Sequence, residues 1–117
     1  MALSLETRAE RDRTVVVVRG DLEVGTTPQL RAHLAGLGTR DVIVDLTGLR
    51  FLDSTGLGVL VGAQKRARAR RCSLQLVCPG GAIREVLAMT GLTRVFEIHC
   101  ALDAVPHMPR RVPSGPG

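Results

Sequence analysis

The order of apolar and polar residues divides the 117-residue chain into short elements of alternating type. Leu3, Leu5 and Thr7 alternate with polar neighbours, the period of a half-buried edge strand over residues 3–8, and residues 10–13 turn the chain back. Residues 14–19 then carry four consecutive valines. Such a run predicts a strand covered on both faces, interior to its sheet. After Gly20-Asp21-Leu22-Glu23, the Thr26-Thr27-Pro28 string predicts a helix that opens with a hydroxyl cap and a proline in its first turn. Leu30, Leu34 and Leu37 fall on one stripe of that helix, and Gly38 is placed to end it.

Residues 42–46 form a second strongly β-prone run, and residues 47–52 read as a loop leading into Asp53-Ser54-Thr55-Gly56. A helix over about residues 54–70 would place Leu57, Leu60, Val61, Gln64 and Ala67 on one face. Residues 74–77 read as a strand and Pro79-Gly80-Gly81 as a turn. Ile83, Val86, Leu87 and Thr90 mark another helix, stopped by Gly91. Residues 95–98 read as the last strand and residues 101–107 as a short final helix. The PRRVPSGPG end is too rich in Pro and Gly to pack, which predicts one domain over 1–108 and a disordered tail over 109–117.

Two strands followed by helix–strand alternation predict an α/β fold with right-handed crossovers. The expected product is a small mixed, mostly parallel β-sheet with about four helices. Functional loops of such sheets gather beyond the carboxyl ends of the strands, and the residue 53–56 corner lies at that end.

Composition narrows the function classes. The apolar residues are mostly Val, Leu, Ala and Ile, with two Phe and no Trp or Tyr. The net charge is +5, and Lys65, Arg66, Arg68, Arg70 and Arg71 crowd into one helix end. That cluster raises nucleic-acid binding, but the stacking aromatics of single-strand readers are nearly absent and no helix-turn-helix or zinc pattern is present. A solvated face whose cations complement a helix C-terminus explains it better, so no direct nucleic-acid partner is expected. Cys72, Cys78 and Cys100 show no metal spacing, and extended chain would hold Cys72 and Cys78 ~20 Å apart. Reduced thiols, a charged N-terminus and no apolar run of ~18 residues predict a cytoplasmic protein without membrane attachment.

The residue 53–56 corner is at minimum a helix cap: Asp53 and Ser54 stand where unpaired first-turn N–H groups need acceptors. Enzymatic readings fit poorly. Gly56, Gly58 and Gly62 resemble a loosened dinucleotide fingerprint, but no acid ends the next strand, and close helix–sheet packing accounts for Gly58 and Gly62. An aspartic-protease triplet fails on spacing. A phospho-accepting receiver would need an acidic pair after its first strand and a late lysine, whereas the single lysine here is Lys65. Ser54 has no nearby base, since His33, His99 and His107 are remote in sequence. His33 reads as a surface or boundary residue. Neither a catalytic residue nor a cofactor or metal is expected, and Ser54 reads as a substrate before it reads as a nucleophile.

The string DLTGLRFLDSTGLGVLVGAQKRARA, residues 45–69, resembles the signature region of the anti-sigma factor antagonists, the single-domain members of the STAS family. The similarity runs from Gly20-Asp21-Leu22-Glu23, Thr26 and Leu30 through residues 74–77 to Thr90-Gly91-Leu92 and Val95-Phe96. It implies a sheet with helices mainly on one face and a partner-switching function. The unmodified protein would bind an anti-sigma factor that is also a serine kinase, freeing the sigma factor. The kinase would phosphorylate Ser54, with Thr55 the fallback, and a PP2C-type phosphatase would reverse the step. Asp21, Glu23, Asp53, Ser54, Thr55, Gly56 and Leu57 are the implied partner-binding residues. Relatives often read Gly-Glu-(Ile or Leu)-Asp where this chain has its two acids exchanged, which keeps the charge but gives position 23 the longer arm. The alternative within the family is a STAS scaffold of a larger signalling assembly, without sigma-factor control.

Overall fold

The computed structural model describes residues 2–38 and 40–106, so the tail over 109–117, the domain limit at 108 and His107 lie outside the described residues. Five strands form one sheet in the order β1-β2-β3-β4-β5. They are β1 (Leu3–Ala9), β2 (Arg13–Leu22), β3 (Asp41–Leu52), β4 (Leu74–Val77) and β5 (Ile98–His99). β1 pairs antiparallel with β2, and every later pairing is parallel, so the sheet is mixed and mostly parallel as expected. The helices are α1 (Thr27–Ala35), α2 (Ser54–Ala69) and α3 (Ala82–Met89), followed by 3-10 turns at Leu92–Arg94 and Leu102–Ala104.

The valine run is buried from Val15 to Val18, and its alternation feeds two cores. Val16 and Val18 join Val42, Val44, Leu74 and Leu76 under the helices, while Val15 and Val17 join Ile43 and Val77 on the opposite face. All three α-helices pack on the first face. The second is covered by Leu102 and Val105, in the segment where a fourth helix was expected. Among the described residues of that segment only a 3-10 turn forms. Arg13 holds the segment in place by donating to the Val105 carbonyl at 3.3 Å.

Three further expectations need correction. Residues 47–52 are not a loop but the second half of β3, which runs to Leu52. The register slips twice there, Val17↔Asp45 to Arg19↔Gly48 and Gly20↔Leu49 to Asp21↔Phe51, so β3 carries one extra residue at each slip. Bulges of this kind break the period-2 pattern that marks a strand in sequence. The last strand begins later, at Ile98, because Leu92–Arg94 turns and Phe96 is drawn into the core. The buried stripe of α2 is Gly56, Val59, Leu60, Ala63 and Gln64, rotated from the expected face; Leu57, Val61 and Ala67 flank it half-buried. Gln64 Nε2 donates to the Val95 carbonyl at 3.1 Å, which ties α2 to the chain that enters β5.

Candidate functional site

Leu22 and Leu52 end β2 and β3 at one level, so the segments that follow them emerge side by side. Asp53 joins the two. Its backbone N–H donates to the Leu22 carbonyl at 3.2 Å, and its Oδ2 accepts from the Val24 amide at 3.1 Å. The other carboxylate oxygen caps α2: Oδ1 accepts from the amides of Thr55 at 3.0 Å and Gly56 at 3.1 Å and from the Thr55 hydroxyl at 2.6 Å. The Asp53 backbone is extended, the usual conformation of an N-cap. The Thr55 hydroxyl, and then the Gly56, Val24 and Thr55 amides, hold the Asp53 carboxyl below its ordinary value against a smaller opposing effect of burial.

These bonds divide the two candidate hydroxyls. Thr55 is exposed, but its hydroxyl is committed to Asp53. Ser54 is exposed and is the first residue of α2, and its hydroxyl makes no hydrogen bond among the described residues. Asp53 is therefore the cap, and Ser54 presents a free hydroxyl beside the positive end of the helix dipole.

Gly56 fixes how close this corner lies to the sheet. A Cβ there would stand 2.7 Å from Leu52 Cδ1 and 2.9 Å from Leu22 Cγ. Gly58 and Gly62, the glycines expected to be packed, are not: a Cβ on Gly58 meets nothing within 4 Å, and one on Gly62 meets only the Arg66 side chain at 3.4 Å. The close approach is made at Gly56, two residues before Gly58. Leu57, half-buried, leans on the core beside it.

The β2 side of the site is built around Thr26. Its hydroxyl donates to the Asp21 carbonyl at 2.8 Å and accepts from the Glu23 amide at 3.0 Å, so it closes the turn and does not cap α1. The Glu23 carbonyl serves that helix end instead, accepting from the amides of Thr26 at 3.0 Å and Thr27 at 2.9 Å. Asp21 is 5% exposed and faces the Arg50 guanidinium at 3.6 Å. Glu23 is half-buried, and its carboxylate makes no hydrogen bond or ion pair among the described residues. The exchanged acids thus have separate positions: the short one is paired beneath the surface and the long one is free at it.

Sequence reasoning missed Arg50, Val24 and Phe51. Val24 and Phe51 are 68% and 49% exposed, large apolar side chains on the two segments that Asp53 joins. The signal for Phe51 is hidden by the second bulge, which turns it outward between Arg50 and the buried Leu52.

Elsewhere the surface has other chemistry. Lys65, Arg66, Arg68, Arg70 and Arg71 are all exposed, and Arg70 donates to the Gly38 carbonyl at 3.1 Å. A crevice between the C-terminal ends of α1 and α2, rimmed by Arg40, Arg66 and Arg70, encloses about 30 Å³. That is room for a water or two, far short of the ~300 Å³ of a small-molecule pocket. His33 bridges α1 to β1 through the Thr7 hydroxyl. Among the described residues no group of three or more His, Cys, Asp or Glu could hold a metal ion, and no helix is long and apolar enough to cross a membrane.

The family model described as "Mlab, STAS domain" matches residues 5–100, a span that includes both halves of the corner. The chain belongs to the STAS domain family. Among its relatives, the anti-sigma-B factor antagonist of Staphylococcus aureus is 32% identical over 102 residues, covering 85% of this chain and 94% of that protein. The phosphorylated form of the Bacillus cell fate determinant SpoIIAA superposes with a TM-score of 0.65 at 26% identity, covering 88% of this chain and 96% of that one. An anti-sigma factor antagonist from Mycobacterium paratuberculosis superposes with a TM-score of 0.81, covering 87% and 89%; at 24% identity it bears on the fold alone.

Proposed function

We propose that this STAS protein is an anti-sigma factor antagonist, a binding protein and not an enzyme, switched off by phosphorylation at Ser54. Its unmodified form binds an anti-sigma factor serine kinase and releases the sigma factor. The kinase transfers a phosphoryl group from ATP to Ser54 Oγ, and a PP2C-type phosphatase removes it. The observation that carries this reading is the exposed, unengaged Ser54 hydroxyl next to a Thr55 hydroxyl already bound to Asp53. The relatives' names agree with it: one is an anti-sigma-B factor antagonist, and SpoIIAA has a phosphorylated form.

The physics favours a switch that leaves the fold intact. A phosphoserine brings about −1.5 to −2 charge, and at the first position of α2 it meets the positive end of the helix dipole. The penalty falls on the partner. One added like-charge pair ~5 Å apart at an effective dielectric of ~20 repels by roughly 3 kcal/mol, about a hundredfold in affinity. The binding face comprises Glu23, Asp53, Ser54, Thr55 and Leu57, with Val24 and Phe51 as its exposed apolar contacts, while Asp21 and Gly56, both buried, shape it from beneath.

Incubating the full chain with candidate anti-sigma factor kinases and ATP, followed by phosphosite mapping, tests the reading. Ser54 should carry the phosphate, and Ser54→Ala should remain unmodified while still binding the kinase. Modification confined to other residues, or a Ser54→Ala protein that is still phosphorylated at full stoichiometry, would overturn it.

A further inference from the structure

Cys78 and Cys100 come together at the carboxyl ends of β4 and β5. The parallel register runs Leu76↔Ile98 and Val77↔His99, so the next step pairs Cys78 with Cys100. The Cys78 amide makes the ladder bond that leads into that step, donating to the His99 carbonyl at 2.8 Å. Neighbouring strands lie ~4.8 Å apart, inside the 4.4–6.8 Å Cα separation that a disulfide spans.

The alternation of β4 and β5, carried one residue past each strand, puts both thiols on one side of the sheet. Cys78 belongs to the helix-side core, as does Ile98 packed against it, whereas His99 turns to the other face and meets Gln75 Oε1 at 2.7 Å. Side chains two apart on a strand share a face, which places Cys100 with Ile98 and Cys78. Burial raises the pKa of the Cys78 thiol, and the charge of Cys100 pushes it in the same direction. The pair is asymmetric: Cys78 is 2% exposed and Cys100 is open to solvent.

We propose that Cys78 and Cys100 are a redox pair that a hydroperoxide converts to a reversible intramolecular disulfide. Cys100, the exposed member, reacts first. Its thiolate sulfur takes the terminal peroxide oxygen as the O–O bond breaks, giving a sulfenic acid and releasing the other oxygen as alkoxide, or as hydroxide where the oxidant is hydrogen peroxide, which is protonated to alcohol or water. The Cys78 sulfur then attacks the Cys100 sulfur. The S–S bond forms, the S–O bond breaks, and the departing hydroxyl leaves as water with the Cys78 proton. Two thiols lose two electrons and one hydroperoxide is reduced. Excess dithiol reverses the change by exchange. The bond fastens β5, a strand of two residues, to β4 across a closed loop that contains α3. Cys72 lies before the other end of β4 and takes no part.

The test uses the full chain carrying Cys72→Ser, which leaves two thiols. Treatment of the folded protein with hydrogen peroxide, alkylation and non-reducing peptide mapping should give a monomer lighter by about 2 Da in which the Cys78 and Cys100 peptides are joined, reversed by dithiothreitol. The oxidised form should melt about 5 °C or more above the reduced form. Cys100→Ser, a change at an exposed position, should abolish both the mass loss and the melting shift. Recovery of Cys78 as free thiol beside a sulfinate or an intermolecular dimer at Cys100, or crosslinking only in denaturant, would overturn the proposal.

Discussion

The two ends of α2 obey the same electrostatic rule, yet only one is the proposed site. Asp53 stands at the positive end and Arg66, Arg68 and Arg70 at the negative end, so both complement the helix dipole. The difference lies in attachment. At the N-terminus one carboxylate binds the helix to a loop 29 positions earlier in the chain, and Gly56 lets the helix settle against Leu22 and Leu52. At the C-terminus the cations stand in solvent, with Arg70 reaching only to Gly38. Charge that suits a dipole is therefore no sign of function by itself. A defined geometry of donors and one unspent hydroxyl is the better sign.

The largest expected effect contrasts the ends by charge. In a binding measurement against the cognate kinase, Ser54→Asp should weaken affinity by about a hundredfold, while Arg68→Glu should change it by less than about threefold. Equal losses at both ends would show that net charge, not the corner, recognises the partner. The next contrast is steric and is read by urea unfolding. Gly56→Val should destabilise by about 1–3 kcal/mol through overpacking against Leu52 and Leu22. Two residues along, Gly58→Ala should stabilise by about 0.5–1 kcal/mol, because a Cβ meets open space and alanine suits the helix.

The smallest expected effect is a pH dependence. Asp53 titrates below its ordinary 3.8 in the folded protein, so its carboxylate contributes stability that is present above that value. The contribution is lost as pH falls through the lower, folded value. Asp53→Asn keeps a capping side chain but cannot titrate. Unfolding curves of the two proteins should differ by a constant amount near neutrality and converge below pH 3.8; parallel curves down to pH 2 would remove Asp53 as the titrating cap.

Much of this corner was legible because a cap is a local device. An acid before two hydroxyls and an apolar helical pattern announces a helix start, and the valine run announces a strand covered on both faces. The errors arose where distant parts of the chain decide. β3 looked like a short strand and a loop because its two bulges, set by pairing with β2, scramble the alternation. Thr26 looked like a cap, but its hydroxyl is drawn to Asp21 and Glu23 by the turn that leads out of β2. Gly58 and Gly62 looked packed, but the approach angle of α2 puts that burden on Gly56.

The sequence by itself determined the type of most elements, the mixed and mostly parallel architecture, and the corner's role as a helix cap, since these rest on periodicity, element order or contacts within one helical turn. Tertiary structure alone decided which hydroxyl of the corner is free, which of two exchanged acids is buried, and which glycine bears on the sheet. Those outcomes depend on Asp53 reaching Val24, on Asp21 lying beside Arg50, and on Gly56 meeting Leu22. Each joins residues from about 29 to 34 positions apart, and only closing the β2–α1–β3 unit brings them within reach of one another.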